Sequence, residues 1–288
     1  MKTFTTINEM RAACRSFRSA GRRLGLVPTM GALHEGHLSL VRAAQAACDA
    51  VAVSIFVNPT QFGPNEDLAK YPRSFERDCD LLEREGVDLL FAPTPEEMYP
   101  AGAVTWVTVE ELGGKLDGRS RPGHFRGVTT VVAKLFHIVE PDVAFFGEKD
   151  AAQVAIIRRM VRDLNLPVEI AVCPIVREPD GLAMSSRNAY LDLQQRKQAL
   201  VLHRSLLRVK ELAAAGERSG ARLAHAGREL FLPGGPVRLD YFEIVDPENL
   251  DPVEDISRGA LVAVAAWVGT TRLIDNIVLH GVGEAKAF

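Results

Sequence analysis

The sequence predicts an α/β protein with a mostly parallel sheet covered by helices on both faces, followed by a smaller C-terminal α+β domain. Three observations carry this expectation. Through the first 175 residues, short apolar runs alternate with helical stretches, as in a parallel sheet buried on both sides. After about Cys173 the alternation stops, and two helical stretches precede three strand patterns. Three polar motifs of the first part directly follow apolar runs, and such sheets bind ligands at the carboxyl ends of their strands.

The elements follow in order. Leu24 to Thr29 is a short apolar run ending in a proline turn. Leu38 to Val51 places Leu40, Ala44, Ala47 and Val51 on one helical face. Ala50 to Val57, AVAVSIFV, is β-rich and almost wholly apolar. Ser74 to Glu85 reads as a helix and Leu89 to Ala92 as the strand after it. Val104 to Val109, Asp142 to Phe146 and Val168 to Val172 are further strands, and Val128 to Val139 and Ala151 to Leu164 are helices. Proline and charge replace the pattern at Pro174 to Asp180, so the boundary falls there, giving domains 1–175 and 176–288. Beyond it, Leu193 to Ala215 and Ala221 to Leu232 are helical, and Pro233-Gly-Gly-Pro236 is a turn. Strands are expected at Arg238 to Val245, Ala260 to Trp267 and Arg272 to Val278.

Composition limits the function. The 288 residues carry 34 basic and 37 acidic side chains, a net charge of -3, which excludes a strongly cationic nucleic-acid binder. The longest apolar run, Ala260 to Val268, is less than half of a membrane-spanning helix. The first residues hold no apolar signal core. Cys14, Cys48, Cys79 and Cys173 are scattered without a CxxC pair, so a cytoplasmic location with reduced thiols is expected.

Four polar segments carry the chemistry. Pro28-Thr-Met-Gly-Ala-Leu-His-Glu-Gly-His37 follows a strand and opens a helix. Gly31 permits a tight turn and Gly36 the close approach of a ligand. The helix start offers free N–H groups suited to phosphate. His34 and His37 share one helical face and could donate to phosphate oxygens. They could also be ligand-free histidines or zinc ligands, although HEGH is not HExxH and no third ligand follows. Asn58-Pro-Thr-Gln-Phe62 puts Gln61, donor and acceptor at once, at a strand end, unless it is a plain turn. Phe146-Gly-Glu-Lys-Asp150 offers Lys149 as a point charge for phosphate. There Asp150 is a possible helix cap with Gln153 on its face, and a solvated loop is the alternative. Met184-Ser-Ser-Arg-Asn188 makes a phosphate clamp of Ser185, Ser186 and Arg187, or a capping loop aided by Asn188 and Asp192.

Other residues are less informative. Arg119 to Arg126 is locally basic and either meets an anionic substrate or covers a strand end. His137, Trp106 and Trp267 are expected in the core. Asp78 and Asp80 lie on a charged helix and are expected in solvent, with one within reach of a hydrated magnesium ion.

With neither GxGxxG nor GxxxxGK[ST] present, dinucleotide and P-loop readings lose support. A nucleotide held by histidines, lysine, serines and arginine points to chemistry at the α-phosphate of ATP. The set PTMGALHEGH, FVNPTQF, RPGHFRGV, FGEKD with its following Gln153, MSSRNAYL and AAWVGTTRLIDN closely resembles the AMP-forming pantoate–β-alanine ligases, the pantothenate synthetase family. The resemblance runs through essentially the whole chain and is weakest at Ala213 to Pro236. The HxGH and MSSR segments look like this family's versions of the two signatures of the nucleotidyltransferase superfamily.

The resemblance implies a Rossmann-like domain over 1–175 for nucleotide and pantoate, and a lid over 176–288. It implies a reaction through pantoyl adenylate, with β-alanine as the second acceptor and products pantothenate, AMP and pyrophosphate. His34, His37, Lys149 and Arg187 would be catalytic. ATP would contact Met30, Gly31, His34, His37, Gly147, Glu148, Lys149, Asp150, Val176, Met184, Ser185, Ser186 and Arg187. Gln61 and Gln153 would hold pantoate or β-alanine. Magnesium would arrive with ATP rather than in a protein cage, and the protein would be a homodimer. The rivals are a nucleotidyltransferase acting on a phosphorylated acceptor, which would need more basic grips than Gln61 and Gln153, and a non-catalytic nucleotide sensor.

Overall fold

The computed structural model describes residues 1–64 and 66–281. Strands β1 (Lys2–Phe4) to β6 form one wholly parallel sheet in the order β1-β4-β3-β2-β5-β6. Helix α1 (Ile7–Ser19), capped by the Thr6 side chain accepting from the Glu9 N–H, leads into β2 (Leu24–Thr29). Then come α2 (Glu35–Ala47), β3 (Ala50–Ile55), α3 (Phe75–Arg84) and β4 (Leu89–Phe91). Short helices α4 (Pro95–Met98) and α5 (Asp117–Ser120) precede α6 (His124–Val139). Strand β5 (Val143–Gly147), helix α7 (Ala151–Asp163) and β6 (Glu169–Cys173) complete the sheet. Strands β2, β3, β4 and β5 are almost wholly buried, which is why they read as continuous apolar runs.

Strand β2 lies between β3 and β5. The chain winds away from β2 in opposite directions on its two sides. This is the switch point at which open α/β sheets leave a crevice beyond their strand ends. The loops after β2 and β5 both open onto it, and they carry the HxGH and EKD motifs.

The remaining chain forms α8 (Leu193–Ala214), α9 (Gly220–Arg228) and an antiparallel meander of β7 (Val237–Val245), β8 (Gly259–Val268) and β9 (Thr271–His280). Side chains alternate along β8. Leu261, Ala263 and Ala265 join the core that contains α6 and α7. Val262, Val264 and Ala266 pack with Leu202, Leu206 and Leu223 of α8 and α9. The central strand is therefore buried on both faces, and its long apolar run is core.

Several expectations fail. Residues 104–109 form no strand. The Val107 main chain bonds to helix α6 instead, where Thr130 Oγ1 accepts from the Val107 N–H at 3.0 Å and Thr129 Oγ1 donates to the Val107 carbonyl at 2.6 Å. Trp106 is consequently 42% exposed, with the Arg126 guanidinium over its ring, and is not core. Val51 belongs to β3 and Ala47 is exposed. The α2 helix ends at Ala47, so the expected four-residue face shortens. His137 faces solvent, its Nδ1 bonded to the Ala133 carbonyl at 2.8 Å. Asp78 is 1% exposed rather than solvated.

Helix α6 approaches the loop after β3 at Gly127, where an added Cβ would lie 2.4 Å from the Thr60 carbonyl oxygen and 2.7 Å from Gln61 Cα. These are backbone contacts that cannot swing aside. Gly127→Ala is expected to lower the unfolding free energy by about 1–3 kcal/mol, read as a lower urea midpoint at unchanged slope. An unchanged midpoint would mean that this approach is not tight.

Candidate active site

The loop after β2 turns through two left-handed residues, Gly31 (φ 82°) and Ala32 (φ 50°). Alanine pays a steric cost there, and Asp78 of α3 holds the turn. Its carboxylate accepts the Ala32 N–H at 2.7 Å, the Leu33 N–H at 2.9 Å and the Ser74 hydroxyl at 3.0 Å. This delivers His34 as the N-cap of α2. His34 Nδ1 accepts the Gly36 N–H at 3.2 Å, and His37 Nδ1 accepts the His34 N–H at 3.3 Å. The rings lie 4.1 Å apart.

Two main-chain donors thus fix both tautomers. With Nδ1 accepting, each neutral ring carries its proton on Nε2. Burial, reinforced by Lys149, lowers the His34 pKa to about 4. Burial, with His34 and Lys149 adding to it, lowers that of His37 to about 3. Both imidazoles are neutral Nε2–H donors at pH 7.

The loop after β3 builds the inner wall. Asn58 is buried, with its Oδ1 accepting from the Thr60 hydroxyl and the Tyr99 hydroxyl, both at 2.9 Å. Its Nδ2 donates to Gln61 Oε1 at 3.0 Å and to the Gly127 carbonyl at 3.1 Å. Gln61 therefore turns its oxygen to Asn58 and its Nε2 toward Met30 Sδ, 3.2 Å away. His124 Nδ1 lies 2.8 Å from the Gln61 carbonyl oxygen, and Arg121 lies 3.0 Å from its Nε2. The arginine can only donate, so His124 Nε2 accepts and Nδ1–H donates. Burial, then the Arg121 charge, lowers the His124 pKa to about 4. Val128, Val131, Val132 and Leu135 of α6 supply an apolar flank.

The third side is basic. Lys149 sits in the turn between β5 and α7, and its nearest carboxylate, Asp150, is 3.8 Å away. Asp150 occupies the N-cap position of α7 but makes no side-chain cap bond. Ser185 Oγ accepts the Arg187 N–H at 3.3 Å, and the Ser186 hydroxyl donates to the Ala32 carbonyl at 3.3 Å, joining this motif to the loop after β2. Arg187 holds Asp67 through two 2.9 Å bonds, and Arg121 holds the adjoining Glu66.

These walls enclose a cleft of about 230 Å³. A wider chamber of about 730 Å³ adjoins it and shares Arg121, His124, Lys149, Asp150, Gln153, Ser185 and Arg187. Every expected site residue lines the cleft except Gly31 and Glu148. A Cβ on Gly31 would meet Asp78 and Ile55, behind the lining. Glu148 is half-buried, and burial pushes its carboxyl up. The sequence reading passed over Tyr71, which lines the cleft without any motif signal, and the structural part of Asp78. Arg121 and His124 stood in a segment already noted as basic. Among the described residues, no group of three or more His, Cys, Asp and Glu could hold a metal ion.

The histidines make stability depend on pH. Their folded pKa values lie below the ordinary 6.5, so as pH falls the unfolded chain takes up protons first. The stability they contribute is present above about pH 6.5 and is lost as pH falls toward about 4. Urea unfolding between pH 7 and 5 is expected to show a falling midpoint, with each ring contributing up to about 1.4 kcal/mol per pH unit. In His37→Gln the fall should be shallower; an identical pH dependence in that variant would contradict the ring's neutral state.

A family model, pantoate–β-alanine ligase, matches residues 2–278. The chain is 62% identical over 286 residues to a pantothenate synthetase of Koribacter versatilis, covering 99% of this chain and 98% of the relative. It resembles the crystal structure of the pantothenate synthetase of Thermus thermophilus with a TM-score of 0.91 at 51% identity, covering 96% of this chain and 99% of that one. It resembles a pantoate–β-alanine ligase of Francisella tularensis, solved in complex with beta-gamma ATP and β-alanine, with a TM-score of 0.76 at 33% identity, covering 96% and 97%. On a match of this extent in both sequence and fold, the chain belongs to the pantoate–β-alanine ligase family.

Proposed function

We propose that the cleft carries out ATP-dependent joining of pantoate to β-alanine in two steps, through a pantoyl adenylate, in pantothenate and coenzyme A biosynthesis. The activity is that of the family. The observation that carries the assignment to this cleft is the pair of neutral Nε2–H donors on His34 and His37. They share a cleft with Lys149, Ser185, Ser186 and Arg187, beside the Gln61 amide and an apolar flank.

Pantoate lies against the α6 flank, with Gln61 Nε2 donating to one of its oxygens and Gln153 meeting the other polar groups. ATP lies across Met30, Gly147, Asp150, Val176 and Met184, with its phosphates toward Lys149 and the Ser185–Arg187 clamp. Magnesium would arrive with ATP as part of the substrate and would neutralise phosphate charge there. The pantoate carboxylate attacks the α-phosphorus, the bond to the β-phosphate oxygen breaks, and pyrophosphate leaves. A carboxylate is already ionised at neutral pH, so this step needs alignment and charge stabilisation rather than a base. His37, neutral and aimed by a main-chain bond, serves as a hydrogen-bond donor to the developing charge, and His34 supports it. In the second step the β-alanine amine attacks the acyl carbon, its bond to the phosphate oxygen breaks, and AMP leaves with loss of one proton from nitrogen.

The mixed anhydride must be kept from water. Residues 1–175 bind nucleotide and pantoate, and residues 176–288 cover them with the Ser185–Arg187 edge. A homodimer is the assembly that the family resemblance implies. Cytoplasmic function is supported by four free cysteines.

The test is pyrophosphate release from ATP and Mg²⁺ with pantoate. About one equivalent per site is expected without β-alanine, becoming continuous with AMP once it is added. Lys149→Ala and His37→Ala are each expected to slow release by about 100-fold or more. A near-normal rate in either variant removes that residue from the mechanism, and release that ignores pantoate overturns the two-step reading.

A further inference from the structure

The turn that bears Lys149 has one side-chain tie of its own, the Glu148 carboxylate accepting from the Ile175 main chain. Asp150, at the N-cap position of α7, makes no side-chain cap bond. The carbonyls of Glu148 and Lys149 are taken instead by Asn276, on β9 of the other sheet, whose Nδ2 donates to both at 2.9 Å. Asn276 is buried, and two fixed acceptors set the direction of its amide, leaving Oδ1 without a partner among the described residues.

The preceding residue holds the opposite side of the cleft. Asp275, also buried, receives Arg177 through bonds of 2.7 and 2.9 Å. Arg177 donates in turn to the Gly181 carbonyl at 3.1 Å and bridges to Ala183, while the Met184 N–H donates to the Val176 carbonyl at 3.0 Å. This closed loop leads directly into Ser185, Ser186 and Arg187. Successive side chains of a strand point to opposite faces, so one dipeptide reaches both sides.

We infer that Asp275 and Asn276 are a positioning pair that sets the separation between the Lys149 ammonium and the Ser185–Arg187 clamp. The inference rests on Lys149 and that clamp gripping the ATP phosphates. Neither residue lines the cleft of about 230 Å³, and the pair acts through the groups it places. Asp275 fixes the approach of the clamp, and Asn276 fixes the main chain from which Lys149 extends. A displacement of about 1 Å in such a group can cost about 100-fold in rate.

A double-mutant cycle on pyrophosphate release separates positioning from general weakening of the fold. Asn276→Leu is expected to slow release about 10- to 100-fold in the otherwise unchanged protein. In the Lys149→Ala background it should slow release less than about 2-fold, because the group it places is gone. Equal slowing in both backgrounds, or none in the first, overturns the inference while leaving Lys149 in place. If Asn276→Leu does not fold, Asn276→Ser keeps one donor and enters the same cycle with the same two criteria. A Lys149→Ala protein with a normal rate would remove Lys149 from the reaction, and this inference with it.

Discussion

The carboxylate of Asp78 accepts two main-chain N–H groups from a loop far away in sequence, and the arrangement of the cleft follows from that contact. The loop must reverse within two residues to start α2, and one of the two is an alanine in the left-handed region. Nothing in the alanine favours that conformation. A buried carboxylate that accepts the alanine's own N–H and that of Leu33 does, because losing bonds to a charged acceptor costs roughly 1.5–3 kcal/mol each. Once the turn is set, the N–H groups of His34 and Gly36 meet imidazole nitrogens, and the rings have no freedom in which nitrogen carries the proton. One charged side chain on α3 thereby decides the tautomer of two histidines it does not touch.

Charge is divided accordingly. Lys149 supplies positive charge to the cleft beside Arg121 and Arg187, and burial, with the Lys149 charge adding to it, keeps His34 and His37 neutral. The imidazoles contribute direction instead, as donors aimed from fixed rings. Arg187 and Arg121 are each held by a carboxylate of one short segment, Asp67 and Glu66, so their guanidinium planes are oriented before any ligand arrives. The two sheets are not independent supports. One face of the meander is part of the core beneath α6 and α7, and β9 reaches the loop after β5. The site is therefore built by both sheets.

Much of this was legible in the sequence, for a physical reason. Fully buried parallel strands such as β3 and β5 leave continuous apolar runs, and the loops after them gather polar residues with no packing role. The cleft residues fall in short contiguous motifs because each strand end presents one loop to the crevice. What escaped depended on contacts distant in sequence. Asp78 sits on a helix with a charged outer face, and its sequence neighbours give no sign of the N–H groups that compensate its burial. Residues 104–109 have strand composition, yet the hydroxyls of Thr129 and Thr130 take the bonds of Val107 that a neighbouring strand would have taken. His137 lies among apolar residues in the chain but on the outward side of α6. Tyr71 reaches the cleft from a segment that carries none of the four motifs.

The central claim is that main-chain contacts lock His34 and His37 as neutral rings protonated on Nε2. Long-range proton–nitrogen correlation spectra of the ¹⁵N-labelled imidazoles of the free protein at pH 7 read this directly. The account predicts, for both rings, a protonated Nε2 and a bare Nδ1, unchanged down to about pH 5. An imidazolium at neutral pH, or a proton on Nδ1 of either ring, would contradict it.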